Sequence, residues 1–280
     1  MAALSRRRPW SRGPLLAHVV LIVGVLLILL PLTNLVLMSF MSLQDMAASP
    51  IGLPPTWHFD NYTAAWNQGD LGQYLINSVI VAVASVAGTI LFSSLAAYVL
   101  ARFRFRGNTT IYLLFLAGYA LPIQLIAVPL FVMMVNLNLI NNLISVILVY
   151  IAGSMPFSIF LLVNYFRTLP KELEEAARIE GANELQIYAY IDMPLARPAL
   201  TTVALFNFVG AWNGLFFPLI LLTDNNKMTV TVGVLSFIGQ YEAQWNLILP
   251  ALIIIMIPTL LVFAMASGQF IRGLTAGSIK

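Results

Sequence analysis

Long apolar runs separated by short polar stretches set the rhythm of the chain. They cover about 15–40, 74–101, 110–135, 143–166, 199–222 and 247–270. As helices, all six are long enough to cross a bilayer, which takes about 20 residues. The pattern predicts an all-α membrane protein of six transmembrane helices. Residues 1–14 form a tail, and 15–72 hold the first helix and a loop. Residues 73–271 form the core, and 272–280 a second tail. The basic start followed by an apolar run has the plan of a secretory signal, but a signal's apolar centre is only about 7–15 residues. The first run is therefore read as a retained helix.

Composition agrees, because with 60% apolar and 9% charged residues the chain has too few polar side chains to cover a soluble globule. There is no cysteine, and the only histidines are His18 and His58, which disfavours thiolate or imidazole metal sites. The net charge of +3 is dispersed between apolar runs, not gathered on a basic face, so a nucleic-acid partner is not indicated. Its distribution carries more information. Arg6, Arg7, Arg8, Arg12, Arg102, Arg104, Arg106, Arg167, Lys171, Arg178, Arg197, Arg272 and Lys280 fall on one side of the predicted spans, and Lys227 alone on the other. By the positive-inside rule both termini are expected in the cytoplasm of a multi-pass protein of the cytoplasmic membrane. The external loops are then 41–73, with Pro50, Pro54 and Pro55, and 223–246, which is expected to hold a strand-like or helical return segment. Asn61 and Asn108 head Asn-x-Thr sequons, a weak signal that is discounted at both.

No site for chemistry of the chain's own is apparent. A phosphate-binding loop needs lysine directly after glycine, and the three lysines follow Pro170, Asn226 and Ile279. The carboxylates are external or confined to one cytoplasmic stretch, and none lies in a predicted span. Ion-coupled carriers keep ionisable groups at membrane depth, so the chain is not expected to power transport itself.

The cytoplasmic stretch, 170–194, is the polar island of the sequence. Pro170 suits the first helical position, and Glu172, Glu174 and Glu175 crowd the first turn, where the helix dipole favours them. Leu173, Ala176, Ala177 and Glu180 share a face by spacing. Gly181 is expected to end this helix, and Asn183 with Gln186 to cap a second one that stops before Pro194. On spacing alone the island is either a contact surface or a plain amphipathic connector.

Here a resemblance enters. Glu175-Ala176-Ala177, Gly181 six positions after Glu175, then Ile191 and Met193-Pro194 resemble the cytoplasmic signature of permease subunits of binding-protein-dependent ABC importers. Asn61-Tyr62, the 102–107 stretch Arg-Phe-Arg-Phe-Arg-Gly, Trp212-Asn213 and the 273–277 stretch Gly-Leu-Thr-Ala-Gly are similar to the carbohydrate-importing branch, in the manner of the second maltose permease. Met193 replaces a usual leucine, and Gly214 stands where the family often has an acidic residue. The resemblance implies a type I importer permease fold, with the island as a coupling helix on a separate ATPase through Leu173, Glu175, Ala176, Ala177, Gly181 and Pro194. It implies a second, non-identical permease, two ATPases that bind ATP and Mg, and an external sugar-binding protein reached by Gly239, Gln240, Tyr241 and Trp245. No cofactor is implied in this chain itself. Other solutes such as a polyol, glycerol phosphate or peptide, or a non-transporting scaffold, are the alternatives.

Polar groups within spans are candidates for a substrate path: Gln124, Asn207, Trp212 and Asn213. The same residue types also serve as glue between helices. Pro122, Pro129, Pro218, Pro250 and Pro258 are expected to interrupt spans three, five and six, as hinges or as static kinks.

Overall fold

The computed structural model describes residues 13–239 and 243–276, with side chains at 15–239 and 243–266. In chain order come α1 (Gly13–Met38), α2 (Leu43–Ala48), α3 (Asp60–Gln68), α4 (Leu71–Arg102) and α5 (Asn108–Ala120). After a 3₁₀ turn at Ile123–Ile126 follow α6 (Ala127–Asn136), α7 (Leu143–Phe166), α8 (Lys171–Ile179) and α9 (Glu184–Ile187). A π-helical stretch, Tyr188–Asp192, leads to α10 (Met193–Leu195), α11 (Arg197–Trp212), α12 (Phe216–Leu221), α13 (Val230–Gly233) and α14 (Trp245–Ala276). Among the described residues the β-type pairing is a single bridge between Ile238 and Ala243. The return segment expected within 223–246 is thus, among the described residues, built of short helical turns.

Two compact units are distinguished. In Met1–Ala65 with Phe237–Ile253, the chain leaving α1 is held by Asn61, whose Nδ2 donates to the carbonyls of Ser39 at 3.1 Å and Met41 at 3.0 Å. The Tyr62 hydroxyl meets Ser39 Oγ at 2.7 Å, and Phe40 packs against Trp57, Phe59 and Tyr62. These contacts give the Asn61-Tyr62 pair a structural task. Ser42 and Asp45 form a capping box at α2, and Met41, Met46 and Leu249 share a small core.

In Trp66–Ser236 with Ile254–Lys280, α4 and α7 form the packed centre. Small groups let their backbones approach: Ser85, Thr89 and Ser93 on α4 and Ser145 and Ser158 on α7 are buried. Ala97, Tyr98, Leu162, Val163, Phe166 and Val203 continue the core to the end nearest the polar island, and Val81, Val149, Phe217 and Leu221 fill the other. Asn77 Nδ2 bonds the carbonyls of Asn226 and Met228, both at 2.9 Å, tying α4 to the loop before α13.

Among the described residues four helices are long and apolar enough to cross a membrane: Leu15–Met38, Leu71–Arg102, Leu143–Phe166 and Trp245–Ala266. A fifth crossing counts only if Asn108–Ala120 and Ile123–Asn136, bent by 91°, make one span. The predicted straight run 110–135 is therefore broken. Leu121 is extended (φ −89°, ψ 123°), the conformation imposed before Pro122. The predicted run 199–222 is also divided, into α11 of 16 residues and α12 of 6. Its count as a span does not follow from helix length.

Of the prolines expected to interrupt spans, only Pro122 sits at a break. Pro129 and Pro218 lie in the first turns of α6 and α12, where a missing N–H costs little, and Pro250 and Pro258 lie within continuous α14.

Gly233 gives a direct packing test. A Cβ there would collide with the buried ring of Tyr74, whereas one at Gly24 meets nothing within 4 Å. Gly233→Leu should destabilise the protein by about 1–3 kcal/mol, and Gly24→Leu should leave it unchanged. Thermal unfolding in detergent checks the pair, and equal melting temperatures would contradict the packing described.

Candidate functional site

The polar island folds from local rules. Pro170 is the N-cap of α8 with φ −61°, and Glu172 and Glu174 occupy the first turn. At the other end Ala182 N–H reaches the Ala177 carbonyl at 3.0 Å and Gly181 N–H reaches Arg178 at 3.2 Å. This double closure needs a left-handed residue, and Gly181 supplies it at φ +90°. The Asn183–Gln186 capping box then opens α9, with reciprocal bonds of 2.9 and 2.8 Å.

The helical path does not stop before Pro194 as expected. It widens through Tyr188–Asp192, where Met193 N–H bonds the Tyr188 carbonyl, and Pro194 falls in the first turn of α10. Such π-helical stretches often accompany functional sites.

Three residues of α4, spaced four apart on one face, hold the island. The Ser94 and Tyr188 hydroxyls lie 2.7 Å apart. Tyr98 donates to Glu184 Oε2 at 3.0 Å, and Glu184 also accepts from Arg178 Nε at 2.9 Å and Nη2 at 3.2 Å. Arg102 Nη2 donates to Asp192 Oδ1 at 3.2 Å and pairs with Glu174. The side chains of Arg102, Glu174 and Asp192 are 4%, 6% and 1% exposed. Their distance along the chain hid this triad, but the 94, 98, 102 spacing on a predicted helix was a readable signal.

One guanidinium faces two buried carboxylates, and Arg102 Nε and Nη1 and Asp192 Oδ2 have no hydrogen-bond partner. Burial pushes the Glu174 carboxyl up from its usual range, Asp192 pushes it further and Arg102 opposes. Burial likewise raises Asp192, against the hydrogen bond from Arg102. Glu184 is held below its usual range, chiefly by the hydrogen bonds from Arg178.

With Glu174 turned inward, large apolar side chains stand exposed among the charged ones of the outer surface. Ile179 is 87% exposed, Tyr190 79% and Leu185 68%, beside exposed Leu173, Glu175, Ala176, Gly181 and Pro194 and half-buried Ala177.

The path candidates divide. Asn207 is buried and bonds Ser158 Oγ at 3.1 Å, and Trp212 is buried with its Nε1 on the Ile255 carbonyl at 3.0 Å. Both join helices. Asn213 is exposed and bonds the Val209 carbonyl at 3.1 Å. Gln124, in the turn after Pro122, lines a cavity of about 320 Å³ with Tyr150, Ser154, Gly210 and Gly214. Of the external-loop candidates, Gly239 is exposed and Trp245, half in solvent, opens α14. Their loop is closed by the Ile238–Ala243 bridge and by Gln244 N–H on the Phe237 carbonyl at 3.0 Å. Gln240, Tyr241, Gly277, Lys280 and the first four arginines lie outside the described residues, as do the side chains of Arg272 and 273–276.

Residues 89–269 match the family described as binding-protein-dependent transport system inner membrane component. The chain belongs to this family. The matched span contains the island, α4 from Thr89 onward and the cavity. This inner membrane component is 35% identical to the diacetylchitobiose uptake system permease protein NgcG of Streptomyces coelicolor, over 95% of this chain and 88% of that one. It is 32% identical to the arabinooligosaccharides transport system permease protein AraQ of Halalkalibacterium halodurans, over 89% and 90%. Its fold resembles a chain of a bacterial ABC transporter that imports the acidic polysaccharide alginate, with a TM-score of 0.79 at 24% identity over 96% and 100%.

Arg102→Met should loosen the island, since it strands two buried carboxylates at a cost of about 3–5 kcal/mol. Hydrogen exchange across 171–195 should rise by orders of magnitude, and unchanged protection would contradict the triad. Both carboxyls bind protons more tightly folded than unfolded, so their stabilisation is full at low pH and is lost as pH rises through their raised folded-state values. Exchange of the island should therefore increase as pH rises from the ordinary carboxylate range, after correction for the intrinsic rate. Asp192→Asn should flatten that increase, and an unaltered profile would count against it.

Proposed function

We propose that this chain is the permease subunit of an ATP-driven importer that moves a carbohydrate across the cytoplasmic membrane. The family is that of importer membrane components, and relatives that match nearly the whole chain are permeases for oligosaccharides. In this reading the protein is not an enzyme. ATP and Mg belong to two partner ATPase subunits, a second non-identical permease completes the pathway, and an external sugar-binding protein delivers the solute to the loop at Gly239–Trp245. Both termini face the cytoplasm. The count of six crossings is reached by taking the bent pair as the third and α11 with α12 as the fifth.

The observation that carries the mechanism is a polar segment locked inward by a buried ion triad while its outer face shows bare apolar side chains. Exposed Leu173, Ile179, Leu185 and Tyr190 on a charged segment fit a partner surface better than water. The island is thus the coupling helix. Glu175, exposed beside this patch, is placed to meet a basic group on the ATPase, and the Gly181 turn sets the angle between α8 and α9. ATP-driven closure of the ATPases then shifts the permease as rigid bodies between its two access states.

Glu175→Lys should abolish most sugar uptake and binding-protein-stimulated ATP hydrolysis while leaving membrane insertion intact. Gly181→Trp should do the same, because an L side chain in the left-handed region costs about 1–2 kcal/mol and disturbs the turn. Complexes reconstituted in proteoliposomes give both readouts. Wild-type activity in both variants would exclude the coupling role.

A further inference from the structure

A cavity of about 440 Å³ opens where α4 and α7 end and α5 and α8 begin. Arg102, Arg104, Arg167 and Lys171 all line it, and among the described residues no carboxylate does. Arg102 is already engaged, its guanidinium buried against Glu174 and Asp192. The other three are exposed to solvent and make no ion pair among the described residues. Arg167 leans on an aromatic face instead, its guanidinium carbon 5.4 Å from the centre of the Tyr112 ring.

The backbone adds positive charge to this gathering. A helix favours a cation at its C-terminus and an anion at its N-terminus. Arg167 follows the C-terminus of α7, but Lys171 is the first residue of α8, and Arg104 shortly precedes α5. Glu172 and Glu174 answer the positive end of α8, whereas the first turn of α5 holds no acid and its N-cap, Gly107, offers no side-chain cap. Thr109 of that turn lines the cavity, with an N–H that has no acceptor inside the helix. The connecting loop is firmly built. Asn108 Nδ2 donates to the carbonyls of Leu100 at 3.3 Å and Phe103 at 2.9 Å, and Phe103 packs edge-on against Tyr98 at 5.8 Å. The positive groups are thus assembled before any anion arrives.

The surroundings select the anion. The membrane-length helices α4 and α7 finish at Arg102 and Phe166, so the cavity lies at an end of the apolar spans. From it α5 leads away with Ile111, Leu113 and Leu114 exposed, and Phe103 and Phe105 in the cavity wall are exposed as well. Cations beside bare apolar side chains match a phospholipid, whose headgroup and acyl chains need one each; a soluble anion has no use for the apolar part. Basic pockets between membrane helices are suited to anionic headgroups.

We propose that this cavity holds the headgroup phosphate of an anionic phospholipid, with Arg104, Arg167 and Lys171 as its charge partners and the exposed apolar side chains of α5 beside its acyl chains. A zwitterionic lipid is disfavoured, because its own cation is repelled by the three. The site goes beyond the importer reading and does not depend on which solute is carried.

The test is native mass spectrometry of the full chain in a neutral detergent, titrated with phosphatidylglycerol, phosphatidylcholine or inorganic phosphate. One phosphatidylglycerol should be retained far more tightly than phosphatidylcholine. Arg104→Gln, Arg167→Gln and Lys171→Gln should each lower its affinity about fivefold, the value of one cation near an anionic surface, and the triple variant should lose the retained lipid. Arg197→Gln, which removes an exposed cation outside the cavity, should stay within about twofold of wild type. Melting temperatures without added lipid should be alike, showing that the variants fold. An equal loss on Arg197→Gln would overturn the site in favour of diffuse attraction, and equal retention of phosphatidylcholine would overturn the need for net charge. Inorganic phosphate bound as tightly as the lipid, with the same losses, would overturn the lipid and leave a site for a free anion. Undiminished lipid retention in the triple variant would overturn the cavity as the site; if that variant also failed to copurify with the ATPases, the cations would belong to a protein contact. Each of these outcomes leaves the sugar reading untouched.

Discussion

A single arginine, Arg102, joins the membrane helices to the polar island. It lies in the last turn of α4, where the helix dipole favours a cation, and its guanidinium is shared by Glu174 of α8 and Asp192 of the π-helical stretch. Taking three charges out of water is expensive, and the attraction among them offsets that cost only while the geometry is kept. The triad therefore adds little to stability as a whole and a great deal to the definition of one arrangement. Slippage of α8 against α4 would leave a buried charge unpaired.

This constraint shapes what lies on either side of it. Inward, Tyr98 and Ser94 extend the grip one and two turns up α4, and α4 is packed on α7 through small buried groups. Outward, Glu174 has left the surface, and Leu173, Ile179, Leu185 and Tyr190 stand exposed beside Glu175 and the other charged side chains. A partner that moves this face must carry α4 along, since the alternative is to break a buried ion pair. The same segment can thus be firmly held on one side and available on the other.

Deeper in the protein, backbone hydrogen bonding replaces charge as the deciding term. Without water nearby, each break in a helix needs partners for its freed groups. The breaks after Leu121 and after Trp212 converge on one cavity, while Pro31, Pro156, Pro250 and Pro258 sit inside continuous helices. Proline alone does not decide where a membrane helix breaks. The break at Asn213–Leu215 contains no proline at all, and the Tyr150 hydroxyl occupies the space beside Gly214 there.

Features governed by neighbours in the chain were legible in the sequence. The apolar runs gave the long helices, Gly181 the left-handed turn, and Asn183 with Gln186 the second cap, because each depends on contacts within a few residues. The motif spacing pointed to the family and to the island. Which of the clustered glutamates turns inward was not legible, since Glu172, Glu174 and Glu175 have similar local surroundings and differ only in how α8 meets α4. Nor was it legible that Arg102, 90 residues before Asp192, is a buried partner and not merely one of thirteen cations on the same predicted side. Asn207 and Trp212 looked like path residues by polarity, and only the positions of Ser158 and Ile255 show them tying helices together. Local sequence fixes the elements because backbone hydrogen bonds and caps are short-range. Tertiary structure alone assigns the buried polar partners, because burial is a property of how whole helices meet.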